Sequence, residues 1–491
     1  MKKLESFKRL IVLFMSGIYL AGQVGIYAYF WFGVYYESVK EYLKYWINGH
    51  LLILAIYGVL LFFFSNMYGG MRIGYLKNAE VIFSQILALG IVDIVTYFQI
   101  SLMVRKLFSM EAYLSMAACQ VVWVIVSIHI ASLIYKNIFP PRKLLLVHGD
   151  RPIEDILKKF AGRKDKFEVS KCMHISAGID AINREALERY DAVVLWDISV
   201  DARNKILKFC YGQSIRTYIM PKIPDVILKG AEELHLFDTP LLLTREYVLT
   251  IEQRFMKRCI DLFCSLLLFI IASPFMLLTA AAVKLYDGGP VLYKQVRCTV
   301  DGRRFYILKF RSMRVDAEKD GVARLASKND SRITPVGKFI RKVRLDELPQ
   351  LINIIRGDMS FIGPRPERPE IIAQYMEIMP EFAYRMKVKA GLAGYAQVYG
   401  KYNTTPYDKL KLDLAYIENY SVWLDIKLMI LTIKVLLWPD STEGVEADQI
   451  TALKKEREQY EGNGQNDGKG ESSEQESKCE AGGQDDDRQK G

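Results

Sequence analysis

Four stretches dominate the first third of the chain. Residues 10–32, 51–64 with their flanks, 81–100 and 114–135 are almost wholly apolar. A helix needs roughly 20 residues to cross the hydrocarbon of a bilayer. The pattern therefore predicts four transmembrane helices, the second reaching that length only if Trp46 and Met67 mark its ends. No small-residue cleavage site follows the first run and three more runs succeed it, so a removable leader is not expected. Lys and Arg in the short loops set the orientation. Lys2, Lys3, Lys8, Arg9, Arg72, Lys77, Lys136, Arg142 and Lys143 lie on one side, against Lys40, Lys44, Arg105 and Lys106 on the other. That imbalance places the N-terminus and everything after residue 136 on the cytoplasmic face. Asp93 and His129 sit inside the third and fourth runs, where polar groups are costly; a functional role and a buried helix–helix contact both explain them.

A fifth apolar run, residues 262–283, is also long enough to cross. Ser273-Pro274 interrupts its centre, and proline there removes a helical hydrogen bond. Cations flank it on both sides, Lys257 and Arg258 before, Lys284, Lys294 and Arg297 after. Both ends are thus expected on one face, as a re-entrant helix over residues 259–284; a kinked spanning helix is the alternative.

Between the fourth and fifth runs the periodicity changes. Residues 143–147, 167–170, 192–198 and 216–220 read as strands, and 152–160, 181–189 and 202–211 as helices. Strands alternating with helices indicate a parallel sheet, hence a Rossmann-like α/β module. Its first turn, His148-Gly149-Asp150-Arg151, has no G-x-G-x-x-G, so a structural or regulatory role is favoured over nucleotide binding. The expected organisation is a transmembrane domain at residues 1–140, an α/β module at 141–250, a mainly helical domain at 251–440 and a disordered tail at 441–491. An apolar helix over residues 421–438, with Lys427 and Lys434 along it, suits either the membrane interface or a buried position.

Composition sharpens this layout. The chain has 491 residues and a net charge of +10. The tail holds 14 acidic against 7 basic side chains and has no Val, Ile, Leu, Met, Phe or Trp after Leu453. It is too polar to pack a core. The seven cysteines form no C-x-x-C pair, which argues against disulfide scaffolding and zinc; Cys172 and Cys264 read as filling core or lipid-facing space. All five histidines precede residue 250, which excludes Ser-His-Asp and Cys-His catalysis in the second half. Residues 284–356 carry 17 Lys or Arg against 8 Asp or Glu. Anionic lipid headgroups and a phosphorylated substrate are both suitable partners for such a block. Nucleic acid is not, since no recognition motif accompanies the charge.

Within that block, Thr334-Pro335 is a helix start signal. Pro349 cannot sit deep in the same helix, so a break is expected near Leu345, with Asp346 as N-cap of a second helix. Such a terminus favours phosphate. Asp346 and Glu347, amid Arg341 and Arg344, are expected to stay ionised and to diverge, one as nucleophile and one as metal ligand. Plain capping is the competing explanation. Further on, Gly363-Pro364-Arg365-Pro366 fixes the backbone on both sides of a guanidinium, a group suited to bidentate phosphate recognition.

Taken in order, the Ser273-Pro274 break, Gly289-Pro290…Lys294-Gln295, Lys309-Phe310-Arg311-Ser312-Met313, Leu345-Asp346-Glu347-Leu348-Pro349-Gln350, Gly357-Asp358…Gly363-Pro364-Arg365-Pro366, Lys389-Ala390-Gly391…Gly394-Tyr395 and Tyr407-Asp408 resemble the bacterial sugar transferase family. These are the monotopic polyprenyl-phosphate hexose-1-phosphate transferases. The four spans and the α/β module resemble the family's long form, used to initiate exopolysaccharide, capsule or O-antigen synthesis. The resemblance implies that Asp346 attacks the sugar-bearing phosphate of a UDP-hexose, releasing UMP, and that undecaprenyl phosphate then accepts the phosphosugar. It implies Mg²⁺ at Glu347, phosphate contact by Arg341, nucleotide contact by Arg365, and further substrate contacts by Lys309 and Arg311. Ser273 and Pro274 become structural residues of the re-entrant helix, in a bacterial cytoplasmic membrane. A homodimer is compatible with this reading; the alternatives to it are transfer of the sugar alone with release of UDP, and a non-catalytic scaffold for glycan assembly. Three positions depart from the family pattern: Thr299 stands where a Gly often sits, and Ala390 and Tyr395 replace a common Pro and Trp.

Overall fold

A computed structural model of the chain describes residues 7–40, 47–236, 238–244, 248–317, 330–400 and 404–437, apart from 106, 108, 316 and 331. The tail expected at 441–491 lies outside the described residues. The described residues fall into two compact units that divide after Met220.

In the first unit the apolar runs become α1 (Lys8–Phe30), continued by a π-helical turn at Trp31–Tyr35, α2 (Ile47–Tyr68), α3 (Asn78–Val104) and α4 (Met110–Ile138). Each is long and apolar enough to cross a membrane. Their shared core is aromatic, with Tyr27 and Tyr57 stacked at 4.0 Å. Asp93 is 2% exposed and belongs to an interhelical chain. Tyr57 Oη donates to its carboxylate at 3.0 Å, Gln120 Nε2 to Tyr57 Oη at 2.6 Å, and Gln23 Nε2 to the Gln120 carbonyl at 3.1 Å. The buried helix–helix contact thus accounts for Asp93. His129 differs: it is exposed, and its Nδ1 lies 2.8 Å from the Ile125 carbonyl of its own helix. Satisfying the ring within one helix removes the need for a buried partner.

The same unit contains four parallel strands, β1 (Arg142–His148), β2 (Phe167–His174), β3 (Ala192–Trp196) and β4 (Arg216–Ile219), in the order β2-β1-β3-β4. Side chains alternate across a strand. Leu144 and Leu146 pack with Cys172 toward α5 (Glu154–Ala161) on one face. Leu145 and Val147 face α6 (Ile179–Ala186) and α7 (Val200–Gly212) on the other. Burial on both sides explains the continuous apolar run of β1.

The second unit opens with α8 (Ile223–Lys229) and the hairpin β5 (Glu232–Leu236) and β6 (Thr239–Leu243). Then comes α9 (Ile251–Asp287), a fifth helix of membrane-crossing length. The helix runs through Pro274 without leaving helical hydrogen bonding on either side, where a helix–break–helix was expected. The reason is local. Proline cannot donate to the Ile270 carbonyl four residues back, and Ser273 Oγ donates to that carbonyl instead, at 2.8 Å. Lys257, Asp261 and Ser265 are buried along one face of α9, while Leu277 and Leu278 are exposed.

After α9 the chain forms an antiparallel pair, β7 (Leu292–Cys298) and β8 (Arg304–Phe310). Next come α10 (Pro335–Lys342) and α11 (Gln350–Arg356), then β9 (Ser360–Ile362), α12 (Pro369–Ile378) and a 3₁₀ stretch at Pro380–Lys387. β10 (Gly391–Ala393) pairs in parallel with β9. α13 (Tyr395–Tyr399), α14 (Pro406–Glu418) and α15 (Val422–Leu437) complete the unit. α15 buries Asp425, Leu428 and Leu431 and leaves Trp423, Ile433 and Leu436 exposed, so one face is core and the other an apolar surface.

Candidate active site

The site is built on the turn between α10 and α11. Thr334 caps α10, its Oγ1 accepting from Gly337 N at 2.9 Å, as the Thr-Pro signal predicts. A Cβ at Gly337 would stand 1.9 Å from the Ser312 carbonyl, so glycine lets α10 dock against the segment leaving β8. The break falls near Leu345, as expected, but the second helix starts later. Arg344 adopts a left-handed conformation (φ 59°), and Leu345–Glu347 form one 3₁₀ turn before α11 begins at Gln350. Asp346 is therefore not the N-cap of a second helix. A bulky residue at positive φ is a rarely populated state that persists where surrounding contacts hold it.

The last carbonyls of α11 are received by Arg258 of α9, whose guanidinium donates to Ile354 and Ile355 at 2.6 and 2.7 Å. Asn353 ties the same helix to β8, accepting from Leu308 N at 3.0 Å and donating to the Tyr306 carbonyl at 2.8 Å. The next residue of β8, Lys309, consequently reaches the turn. Its Nζ donates to Glu347 Oε1 at 3.1 Å. Arg365 Nη2 donates to the same oxygen at 2.9 Å, and Arg344 Nη1 lies 3.5 Å from Oε2. One carboxylate thus holds three cations.

Asp346 differs from its neighbour. It is 8% exposed, and its Oδ1 is buried with no hydrogen-bond partner among the described residues. Burial pushes its carboxyl above the usual aspartate range and the Glu347 charge adds to that. Lys309, Arg341 and Arg344 pull the other way without cancelling it. Burial also acts to raise Glu347, yet Lys309, Arg365 and Arg344 outweigh it and hold that carboxyl well below its ordinary value. The same burial lowers Lys309, which Glu347 partly offsets. Two adjacent carboxyls pushed apart in this way suit two different roles. The expectation that both behave as ordinary ionised carboxylates therefore fits Glu347 better than Asp346.

Of the residues nominated from sequence, Asp346, Glu347, Lys309 and Arg365 come together. Arg341 lies on α10 and acts on Asp346 through its charge. Arg311 is placed elsewhere: buried, it pairs with Asp287 at the end of α9. Ser273 and Pro274 lie mid-helix in α9.

The supporting set was not nominated. Asp261 accepts from Ser360 Oγ at 2.8 Å and from Phe361 N at 2.8 Å. Lys257 Nζ donates to the Ile362 carbonyl at 2.9 Å and to Asp425 at 2.6 Å. Both therefore grip β9, the strand leading into Gly363-Pro364-Arg365. Their signal was present, since Lys257, Asp261 and Ser265 repeat every fourth residue and so share one face of the helix. Glu367, which pairs with Lys409 at 2.7 Å, gave no comparable signal. Thr299 and Ala390 meet: the Thr299 hydroxyl accepts from Ala390 N at 3.1 Å and donates to the Asp358 carbonyl at 3.0 Å.

Residues 252–439 match the family described as bacterial sugar transferase. The chain is 37% identical over 255 residues to the UDP-N-acetylgalactosamine-undecaprenyl-phosphate N-acetylgalactosaminephosphotransferase of Aeromonas hydrophila, covering 51% of this chain and 59% of that one. It is 38% identical over 190 residues to the UDP-glucose:undecaprenyl-phosphate glucose-1-phosphate transferase of Caulobacter vibrioides, covering 38% of this chain and 71% of the relative. To the undecaprenyl-phosphate galactose phosphotransferase of Salmonella typhimurium it is 32% identical, covering 51% and 58%. The chain spans about half the length of several of the curated relatives it matches.

Proposed function

The chain belongs to the bacterial sugar transferase family, and from that premise we propose that it transfers a hexose-1-phosphate from a UDP-sugar to undecaprenyl phosphate, releasing UMP. The observation that carries the mechanism is the divided pair, Asp346 with an unpartnered oxygen beside Glu347 under three cations. In this reading an Asp346 carboxylate oxygen attacks the phosphorus attached to the sugar. A bond forms from carboxylate to phosphorus, the bond from that phosphorus to the bridging oxygen breaks, and UMP leaves with the electron pair. The lipid phosphate then attacks the same phosphorus, and Asp346 is released as a carboxylate.

Lys309 and Arg365 are the cations placed to receive the donor's phosphates, with Arg341 near Asp346. Arg311 drops out of this scheme because Asp287 occupies it. Mg²⁺ is commonly held by one or two carboxylates together with substrate phosphates rather than by a protein cage. Among the described residues no cluster of three or more candidate ligands exists. Glu347, with the unpartnered Asp346 Oδ1 beside it, would offer such an ion its oxygens once substrate phosphates draw Lys309 and Arg365 away. When bound, that ion would offset charge on the diphosphate and on the departing UMP.

The same reading places the protein in a bacterial cytoplasmic membrane. The four helices α1–α4 return the chain to the face of the N-terminus, and the cations on both sides of α9 support a catalytic unit on the cytoplasmic face, with α9 entering and leaving by that face and the parallel sheet as a Rossmann-like module. The relatives' names span glucose, galactose and N-acetylgalactosamine, so the sugar is fixed by experiment. Membranes containing the chain are incubated with a panel of UDP-sugars labelled in the sugar-bearing phosphate. UMP release with label in the lipid supports the proposal; release of UDP with unlabelled lipid refutes it.

A further inference from the structure

The loop that carries Arg365 is held in an unusual way. Pro364 and Pro366 have no N–H to offer, so the segment can be fixed only through its carbonyls and two remaining amides. All four successive carbonyls accept a hydrogen bond. Pro364 O accepts from Gly391 N at 2.9 Å, and Arg365 O from Arg385 Nη2 at 2.9 Å. Pro366 O accepts from Arg297 Nη1 at 3.1 Å, and Glu367 O from Cys298 N at 3.1 Å. Two of the four donors are therefore arginine side chains that reach in from other elements.

Arg385 is the one that touches Arg365 itself. It lies in the 3₁₀ stretch before β10 and is 3% exposed. Asp413 of α14 accepts from its Nε at 3.1 Å, Glu367 stands 3.7 Å from Nη1, and its guanidinium lies 4.9 Å from the Phe382 ring centre. Asp413 Oδ2 also lies 2.8 Å from Nη2, so the arm that donates to the Arg365 carbonyl is itself held by that carboxylate. Asp413 compensates the buried charge, and the pair so formed holds Nη2 where it also fixes the Arg365 carbonyl. We propose that Arg385 is a positioning residue for the transfer reaction: by clamping the Arg365 backbone it aims the Arg365 guanidinium at the Glu347 side of the site, where the donor's phosphates bind. This rests on the proposed role of Arg365.

Lysine cannot reproduce the fork, although it keeps the charge beside Asp413 and Glu367. The full-length chain in native membranes is assayed for UMP release with a productive UDP-sugar, as wild type, R385K, R365A and R365A/R385K. Thermal unfolding of each variant checks the fold. R385K is expected to lower kcat/KM roughly 10- to 100-fold, through KM for the UDP-sugar, with kcat little changed. R365A alone should do the same, and the double variant should be no worse than R365A, because Arg385 acts through Arg365. If R385K unfolds, R385Q/D413N replaces the ion pair by a neutral one and enters the same cycle. An unchanged KM in the Arg385 variant, or additive losses in the double variant, overturns the positioning role while leaving Arg365 in place. An unchanged KM in R365A overturns both it and the Arg365 assignment.

Discussion

Glu347 and Arg365 form an ion pair, Nη2 to Oε1, at 2.9 Å, and Lys309 shares the same carboxylate oxygen at 3.1 Å. In the proposed reaction these cations would receive substrate phosphate, so Glu347 would serve as an internal anion that the donor displaces.

Glu347→Gln should accordingly strengthen metal-free binding of UMP. Freeing two charge-assisted donors is worth on the order of a tenfold change in Kd. Titration calorimetry on the full-length chain in detergent reads it, and weaker binding by the variant would count against the internal-anion role.

Asp346→Asn should lower UMP release by roughly 1,000-fold or more, the scale seen when a nucleophile is lost. The same substitution should raise Tm at neutral pH. Burial and Glu347 raise the folded Asp346 carboxyl above its ordinary value of 3.8, so ionising it opposes folding. The variant's gain is full above that raised value, fades as pH falls through it and is gone below 3.8, where both states of the wild type are protonated. Glu347 has the opposite sign: its stabilisation is present above the ordinary glutamate value of 4.5 and is lost as pH falls through its depressed one. Thermal scans of wild type and D346N across pH 3–8 test both. A gain that grows as pH falls would contradict the assignment.

Lys257→Met strands Asp425 and removes a donor from the Ile362 carbonyl. Breaking a buried pair from one side costs about 3–5 kcal/mol. We expect a large drop in Tm, part of which K257M/D425N should recover; no recovery would mean that the Ile362 contact, not the charge pair, dominates.

Thr299→Val should leave the Ala390 N–H buried without its acceptor, at a cost of about 1–3 kcal/mol. In an Ala390→Pro background that N–H no longer exists, so the same substitution should cost less. Equal Tm losses in the two backgrounds would show that the Asp358 bond, not the Ala390 one, is what Thr299 supplies.

Ser273→Ala removes the donor that replaces the missing proline N–H at Ile270. A loss of about 1 kcal/mol, typical of such bonds within membranes, is expected from thermal unfolding in detergent. It should vanish in S273A/P274A, where the restored backbone N–H donates to the Ile270 carbonyl itself. Persistence of the loss would assign Ser273 a different partner.

The sequence alone determined the features that depend on spacing along one element. Apolar length located α1–α4 and α9, alternation and amphipathic periods found β1–β4 and their helices, and Thr334-Pro335 marked the start of α10. The family motifs picked out Asp346, Glu347 and Arg365, because those residues sit in short contiguous patterns. What it did not determine depends on approach between distant segments. Nothing near Arg311 in sequence reveals Asp287 as its partner, and although Pro349 announced a break near Leu345, no glycine announced the left-handed Arg344 that makes it. Arg385, Glu367, Lys257 and Asp425 became partners only when the β9 and β10 edges met α9, α14 and α15. The opposed ionisation of two neighbouring carboxyls has the same origin. Asp346 and Glu347 differ by one position in the chain, but folding surrounds one with three cations and leaves an oxygen of the other buried and unpartnered. Charge environment is a property of three-dimensional neighbours, and the turn sets it by directing the two side chains to different ones.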